Sequence, residues 1–422
     1  MQSSDLELSD LASKASCVDD YDPNAMSVTQ ARHYIQQFLS PVSETETVTL
    51  KDSLGRFLAK PVISGMNVPG HNNSAMDGFA FRHAEGGNPL NVIGTAFAGA
   101  PFTSEIPAGC CIKIMTGAVI PPTVDTVIMQ EQTSTEGELV TLVKLPALGA
   151  NIRLTGEDVA IGQTVLTPGH RIEPADMGLL ASLGIGEIEV YRRLKVAFFS
   201  TGDELVSVGK PLQQGQIYDS NRYSLWGVLE AIGVSVTDLG NVADDPTALE
   251  KTLLEAASGY DVVITSGGVS VGEADFMKQL LAKHGQVLFW KINMKPGRPL
   301  AYGKIGTAHY FGLPGNPVSA MVTFYQFVQE ALKTLMGAAH LATPSFQVEC
   351  VNAIKKATGR TEFQRGILFK EGETWKVKTT GEQGSGILSS MSRANCFIVL
   401  NEQTGALEAG TLVEVQPFHG VC

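Results

Sequence analysis

Four short segments of the 422-residue chain carry the residue types of an anion or metal site: Thr201-Gly202-Asp203-Glu204, Asp244-Asp245, Ser266 to Asp275, and Leu313 to Ala320. In the third, Ser266, Gly267, Gly268, Ser270 and Gly272 offer nearly bare backbone ahead of Glu273 and Asp275. Glycines let the main chain approach a ligand closely. A loop that runs into a helix N-terminus also presents free amides and a favourable dipole to an anion. Asp275, in the first turn of the helix that follows, suits a divalent cation bridging phosphate oxygens. It would equally complement the helix dipole with no ligand at all, the glycines then only turning the chain. The fourth segment, LPGNPVSA, adds Pro314, Pro317 and Ser319. Positive charge comes from KINMKPGRP, where Lys291, Lys295 and Arg298 lie in a stretch stiffened by Pro296 and Pro299 and suited to an oxyanion. Charge spacing alone also fits a solvated basic loop. No GxGxxG follows a strand and no Gly-Lys-Ser/Thr occurs, so dinucleotide and Walker A readings fall away.

The elements that must position these loops follow from hydrophobic period. LKVAFFS, VSVTDLG and DVVIT are apolar runs, each followed by one of the loops and then by a helical stretch. A helix is predicted from near Asp219 with Leu225, Trp226, Leu229 and Ile232 on one face. Another is opened by Asp245 and Pro246, a third carries Phe276, Leu280 and Leu281, and the loop NVADD precedes the second of them. The alternation predicts βαβ units in a doubly wound parallel sheet covered on both faces, with ligands beyond the carboxyl ends of its strands. Upstream, Ser27 and Gln30 form a capping-box signal before Val28, Ala31, Ile35, Phe38 and Leu39 at helical spacing, ending at Pro41. From Thr45 to about Arg153 short runs such as FLAKPVI, CCIKIM and DTVIMQEQ predict a β-rich segment. FQVECV, EFQRGILF, WKVKTT, CFIVL and LVEVQPF predict a small closed or rolled β domain at the end.

Such a length exceeds one hydrophobic core, so three or four units are expected. A net charge of -12 without a basic run argues against nucleic acid as a partner. Residues 1–24 are polar and acidic, read as a loose tail rather than a secretory signal, and no apolar stretch is long enough to span a bilayer. Cys17, Cys110, Cys111, Cys350, Cys396 and Cys422 lack metal or redox spacing and read as reduced thiols of a cytoplasmic protein, mostly core filler. The eight scattered histidines do not suggest a metal site; His71, six residues before Asp77, reads as a surface loop residue.

Seven motifs, in order, together resemble the molybdopterin molybdenumtransferase family, which includes the C-terminal part of gephyrin. They are PGHNNSAMDGFAF (69–81), KIMTGA (113–118), NIRLTGED (151–158), STGDEL (200–205), TSGGVSVGEAD (265–275), MKPGRP (294–299) and GLPGNPVSA (312–320). The resemblance covers nearly everything from about residue 26 onward. It implies an elongated homodimer of four-unit protomers. A segmented unit at 25–44 and 153–193 would hold an inserted β-rich unit at 45–152. A central α/β unit at 194–340 would resemble molybdopterin adenylyltransferase, and a β-barrel-like unit would occupy 341–422. The site would lie between the central unit of one protomer and the inserted unit of the other.

The implied reaction inserts molybdate into adenylylated molybdopterin and releases AMP. Magnesium on Asp244 and Asp275, with Glu204 nearby, would neutralise the leaving phosphate. By motif, Asp77, Thr116, Arg153 and Asp158 match positions tied to the site, while Ser266, Gly267, Gly268, Ser270, Pro314 and Pro317 match substrate-binding positions. Molybdate would be received by Lys295 and Arg298 with Ser319, Arg360 and Ser385, and Lys291 would hold pterin or phosphate. The residues after Arg153 are Leu154 and Thr155 where the family is often basic, which implies a less positive loop. Transient contact with molybdopterin adenylyltransferase and with downstream cofactor-handling proteins is implied. Two alternatives accompany this reading: adenylylation of molybdopterin by the central unit, and a gephyrin-like scaffold. The MDG-bearing β segment and the C-terminal β domain argue against the first, and no linker or second module supports the other.

Overall fold

The computed structural model describes residues 25–267, 279–280, 283–339 and 343–418. Its contacts divide the chain into two compact units. One gathers the described parts of Met1–Glu46, Gly55–Phe57 and Tyr191–Cys422; the other holds Thr47–Leu54 and Leu58–Val190.

The first helix, α1 (Val28–Gln37), begins as the capping box requires. The Gln30 amide donates to Ser27 Oγ at 3.2 Å and the Ser27 amide to Gln30 Oε1 at 3.0 Å. Its buried stripe of Val28, Ala31 and Ile35 enters the core of the larger unit.

The smaller unit is built on a six-stranded sheet of β1 (Gly78–Phe81), β2 (Leu90–Ala96), β3 (Cys110–Ile114), β4 (Thr126–Met129), β5 (Thr133–Glu136) and β6 (Leu139–Leu142), in the order β4-β1-β3-β2-β6-β5. Only β2 and β3 run parallel. Period two assigns each face its own core. Ala80, Ile112 and Val127 pack on one side, while Phe79, Phe81, Cys111 and Ile128 pack on the other. A separate cluster of Leu58, Leu166, Ile172, Ile188 and Val190 forms around Leu180 of α2 (Pro174–Ser182). FLAKPVI contributes only the two-residue strand Val62–Ile63, because Pro61 interrupts it.

In the larger unit β7 (Lys195–Thr201), β8 (Ser235–Val242), β9 (Val262–Ser266), β10 (Gly285–Lys291), β11 (Pro299–Ile305) and β12 (Ala308–Leu313) form a sheet ordered β8-β7-β9-β12-β11-β10. Strands β8, β7, β9 and β12 are parallel, as the alternation predicts. The rest of the sheet corrects that prediction: β11 is antiparallel to both neighbours, because the two-residue turn Gly306-Thr307 to β12 and the short connection 292–298 from β10 leave no room for a crossover helix. Strand β8 also runs two residues further than expected, pairing Asn241 and Val242 with Ser200 and Thr201 after a bulge, so its loop starts at Ala243.

Both faces of the sheet are covered. Leu225 and Leu229 of α3 (Ser220–Ile232) pack with Val196 and Phe198. Leu249 and Leu253 of α4 (Pro246–Gly259) pack on the opposite face with Ala197 and Phe199. Trp226 is not in the buried stripe; it is 41% exposed, one residue round the helix from Leu225. The predicted helix residues Phe276 and Leu281 lie outside the described residues, and Leu280 is buried. After β12 the chain enters α5 (Pro317–Thr323), passes through a π-helical turn at Phe324–Val328, and continues as α6 (Gln329–Leu335).

Five strands close the chain: β13 (Phe346–Cys350), β14 (Thr361–Glu371), β15 (Thr374–Thr379), β16 (Cys396–Leu400) and β17 (Leu412–Pro417). The order β14-β15-β13-β17-β16, with β16 pairing back to β14, makes a closed barrel filled by Val348, Leu368, Val377, Ile398 and Val415. Between β15 and β16 stands a short helix, α7 (Leu388–Arg393). The pair Met294–Lys295 adds to this sheet in parallel with Thr361 and Glu362. Cys111, Cys350 and Cys396 are buried free thiols and Cys110 is half-buried, while Cys17 and Cys422 lie outside the described residues. Among the described residues no helix is long and apolar enough to cross a membrane.

Candidate active site

The loops leaving the carboxyl ends of β7, β9 and β12 enclose a cavity of about 520 Å³, whose walls include Thr201, Glu204, Ser266, Gly267, Gly315 and Pro317. Gly267 has φ +96°, and a Cβ there would stand 2.5 Å from the Thr201 carbonyl oxygen, so only glycine brings the β9 loop this close to β7. Asn221, in the first turn of α3, ties the floor together: Nδ2 donates to Ser266 Oγ and to the Gly315 carbonyl, both at 2.7 Å. Thr201 Oγ1 donates to Asp244 Oδ1, and the Asp244 amide donates to Asp203 Oδ1 at 3.4 Å. The exposed Asp244 carboxylate is thereby held at the end of β8 beside the cavity wall.

Of the residues expected to act, Glu204, Ser266, Gly267 and Pro317 line this cavity. Pro314 is buried in the turn ahead of α5, and Ser319 is buried within α5. The Ser385 carbonyl accepts from the Val318 amide at 3.1 Å, placing Ser385 against the start of that helix, and its neighbour Gly386 lines the cavity. Gly268, Ser270 and Asp275 lie outside the described residues.

The cations are grouped elsewhere, and among the described residues no Lys or Arg lines the cavity. Gly297, at φ +91°, sits where a Cβ would meet Thr323 Oγ1 at 2.5 Å and the Ser319 carbonyl oxygen at 3.1 Å, so MKPGRP is seated directly on α5. Lys295 is exposed, with Nζ 3.7 Å from the buried carboxylate of Glu362. The half-buried Arg298 accepts the Ile292 amide on its carbonyl at 2.7 Å, and the half-buried Lys291 accepts the Met26 amide at 3.1 Å. Half-buried Arg360 lies at the same joint, between Gly359, whose carbonyl accepts from Asn293 Nδ2 at 2.6 Å, and Thr361, whose amide donates to the Asn293 carbonyl at 3.0 Å.

Arg365 was not anticipated. Its side chain is fully buried under the loop 381–386: Nε donates to Ser390 Oγ and Nη2 to the Gly384 carbonyl, each at 3.0 Å, while its amide donates to Gln383 Oε1 at 2.7 Å. Burial pushes the guanidinium down to about 10, and no carboxylate among the described residues offsets it. It lies on β14 beside two other buried polar side chains, Glu362 and Gln364, so no apolar pattern in the sequence singled it out.

In the smaller unit Asp77, Thr116, Arg153 and Asp158 are all exposed. Asp77 Oδ1 accepts from both the amide and the hydroxyl of Thr116 at 2.7 Å; these bonds, with Lys113 nearby, hold its carboxyl below the usual range. Arg153 pairs with Asn73 in a two-residue ladder, Thr155 donates its amide to Asn72 Oδ1 at 2.8 Å, and the Asp158 amide donates to the Val68 carbonyl at 3.1 Å. The segments 67–77, 115–118 and 151–158 thus form one surface, on which His71 is exposed. A hollow of about 690 Å³ on the β1–β3 sheet of this unit is larger than the cavity, but its walls, such as Thr95, Lys113, Glu131 and Thr135, belong to no loop cluster with convergent polar groups. Among the described residues no three His, Cys, Asp or Glu side chains are grouped to hold a metal.

Comparison with known proteins agrees along the chain. Residues 26–184 match the MoeA N-terminal region (domain I and II), 197–334 a probable molybdopterin binding domain, and 347–418 the MoeA C-terminal region (domain IV). A molybdopterin molybdenumtransferase of Haemophilus influenzae is 47% identical over 400 residues, covering 93% of this chain and 99% of that one. Gephyrin of Dictyostelium discoideum is 34% identical over 88% of this chain, which spans 59% of gephyrin's length. The crystal structure of the molybdopterin biosynthesis MoeA protein of Pyrococcus horikoshii superposes with TM-score 0.82 at 29% identity, covering 93% of this chain and all of that one.

Proposed function

The chain belongs to the MoeA family of molybdopterin molybdenumtransferases, and we propose that it inserts molybdate into adenylylated molybdopterin with release of AMP. The observation that carries this is the cavity at the carboxyl ends of the sheet. All of its described lining residues except Gly386 lie within the segment matching a probable molybdopterin binding domain, and Asp244 stands at its edge. The match continues through the N- and C-terminal MoeA regions, which favours the transferase over adenylylation by the central unit alone.

In this reading Asp244 and Asp275, with Glu204 nearby, would hold magnesium, whose charge would offset that of the departing phosphate. Magnesium suits such a site because it takes one or two carboxylates, waters and substrate phosphate rather than a dedicated protein cage. Molybdate is received by Lys295, Arg298, Ser319, Arg360 and Ser385, and Lys291 holds pterin or phosphate. The seating of Gly297 on Ser319 and Thr323 supports treating MKPGRP and α5 as one oxyanion wall. The uncompensated Arg365 beneath the Ser385 loop adds positive charge to it. Ser266, Gly267, Gly268, Ser270, Pro314 and Pro317 shape the pterin nucleotide pocket.

The protein works as a cytoplasmic homodimer in which Asp77, Thr116, Arg153 and Asp158 of one protomer complete the site of the other. The exposed apolar side chains Ile217, Tyr218, Tyr223 and Trp226 support a face covered by another chain. Transient contact with molybdopterin adenylyltransferase would deliver the substrate, and cofactor-handling proteins would take the product. The test is to incubate the pure protein with adenylylated molybdopterin, molybdate and magnesium while following AMP and cofactor together. Stoichiometric appearance of both is expected. ATP consumption with free molybdopterin would instead identify an adenylyltransferase.

A further inference from the structure

Asp219 lines the same cavity but has no role in the assignments above. It is 3% exposed and its two oxygens differ. Oδ1 accepts the Arg222 amide at 3.3 Å as the N-cap of α3, whereas Oδ2 has no hydrogen-bond partner among the described residues. A buried carboxylate oxygen without a donor is costly, and such groups in a folded protein generally await a ligand, a water or an ion. The cavity walls narrow the choice. Among the described residues they carry a second carboxylate, Glu204, and no Lys or Arg, so a phosphate or molybdate without a cation is disfavoured there and a neutral group rich in N–H donors is favoured. Asn221, two residues on, is clamped to Ser266 and Gly315 at 2.7 Å, which makes the floor beside Asp219 rigid.

We propose that Asp219 reads the pterin ring, its free carboxylate oxygen accepting from the 2-amino and N3–H edge. The proposal rests on the molybdopterin reading above. Chemistry separates the two heterocycles of the substrate. The pterin edge places two N–H donors side by side, matching a carboxylate, whereas adenine sets its amino group beside a ring acceptor that a carboxylate repels. The pterin end therefore occupies the cationless cavity, and the anionic groups extend toward the basic loop.

The test compares pterin with lumazine, its 2-oxo counterpart, by calorimetric titration of the full chain. Wild-type protein should bind pterin roughly tenfold or more tighter than lumazine, the worth of a charged hydrogen bond to the amino group. Asp219→Asn keeps an equivalent helix cap but offers an amide donor, so it should lose that preference or reverse it at an unchanged thermal midpoint. Asp219→Ser also caps the helix and should bind both rings weakly with no preference, which covers the case of an unstable Asn variant. An unchanged pterin-to-lumazine ratio in both variants would overturn the assignment. So would equal loss of both rings in Asp219→Asn, the outcome expected if Oδ2 merely holds a water or a cation. Wild-type protein that releases AMP from adenylylated molybdopterin yet shows no pterin preference defeats the role of Asp219 alone. Absence of AMP release defeats the enzymatic reading beneath it.

Discussion

His309 on β12 makes the stability of the central sheet depend on pH in a way that can be worked out beforehand. Its ring is 7% exposed and stacked on Tyr302 with centroids 6.3 Å apart, and Nδ1 lies 3.3 Å from Tyr302 Oη. Burial drives the Tyr302 phenol well above its usual range, and its protonated hydroxyl shares a hydrogen bond with Nδ1 whose donor depends on the ring tautomer. Burial likewise pushes His309 down to about 4 from its ordinary 6.5, with Lys304 adding to the effect and Asp261 opposing it. Because the folded value is the depressed one, the unfolded chain binds more protons between pH 6.5 and 4. Stability is therefore intact at neutral pH and is lost progressively as pH falls through that window. The full penalty is about 3 kcal/mol, and at pH 5 about 2 kcal/mol has already gone. Other groups also titrate there, so the measurement is a difference: hydrogen exchange of β12 amides in wild type and His309→Asn, from pH 7 to pH 4.5. Asn retains an acceptor near Nδ1 but cannot charge. The variant starts less stable at pH 7 through lost stacking, and the gap should close by about 2 kcal/mol on reaching pH 5. A gap constant across the range would refute the claim that His309 is held neutral.

Four further outcomes follow from the site. Gly267→Ala forces a left-handed residue, at about 1–2 kcal/mol, against a carbonyl only 2.5 Å from the new Cβ; a lower melting midpoint and at least roughly tenfold slower AMP release should result, and wild-type values for both would show the loop moves freely. Asp244→Asn keeps the Thr201 contact but removes a metal charge, so AMP release should fall roughly a hundredfold with the fold intact by circular dichroism; full activity would remove Asp244 from the chemistry. Lys295→Ala should raise the molybdate concentration for half-maximal rate more than it weakens pterin nucleotide binding; equal losses would assign Lys295 to the nucleotide. Asp77→Asn and Asp275→Asn, each inactive alone, should recover about a quarter of wild-type activity when refolded together, because about half the dimers are mixed and each carries one intact site; confirmed mixed dimers without recovery would place Asp77 outside the partner's site.

What was legible in the sequence is what local physics decides. Ser27 and Gln30 specify their helix start through bonds spanning three residues, and LKVAFFS can only be an interior strand because both of its faces are apolar. Non-local choices were not legible. Nothing in the periodicity of β11 distinguishes a hairpin from a crossover, and only the short links on either side, 292–298 and Gly306-Thr307, make β11 antiparallel. Trp226 has the apolarity of a core residue but not the angular position of one. Arg365 was hidden because a motif reading weighs exposed, loop-borne charge, while this guanidinium sits on a strand and acts through the loop above it. Asp219 was legible as a helix start but not as a site, since one oxygen satisfies the cap and only the fold leaves the other without a donor.

In the proposed function, the distribution of charge within the larger unit would let an acidic chain handle a doubly charged oxyanion and a nucleotide together. At a net charge of -12 the long-range field repels both, so binding depends on short-range, partly desolvated cations. Among the described residues those cations are absent from the cavity lining and collected where MKPGRP meets α5 and the barrel: Lys295 beside Glu362, Arg298 next to the Gly297 seated against Thr323, and Arg365 beneath the Ser385 loop. On the proposed placement, separating acid from base would let one end of the substrate be selected by hydrogen-bond pattern and the other by charge. Salt should therefore weaken molybdate capture while leaving pterin binding nearly unchanged, and titration of each ligand across ionic strength would reveal a parallel loss if the two ends share one electrostatic site.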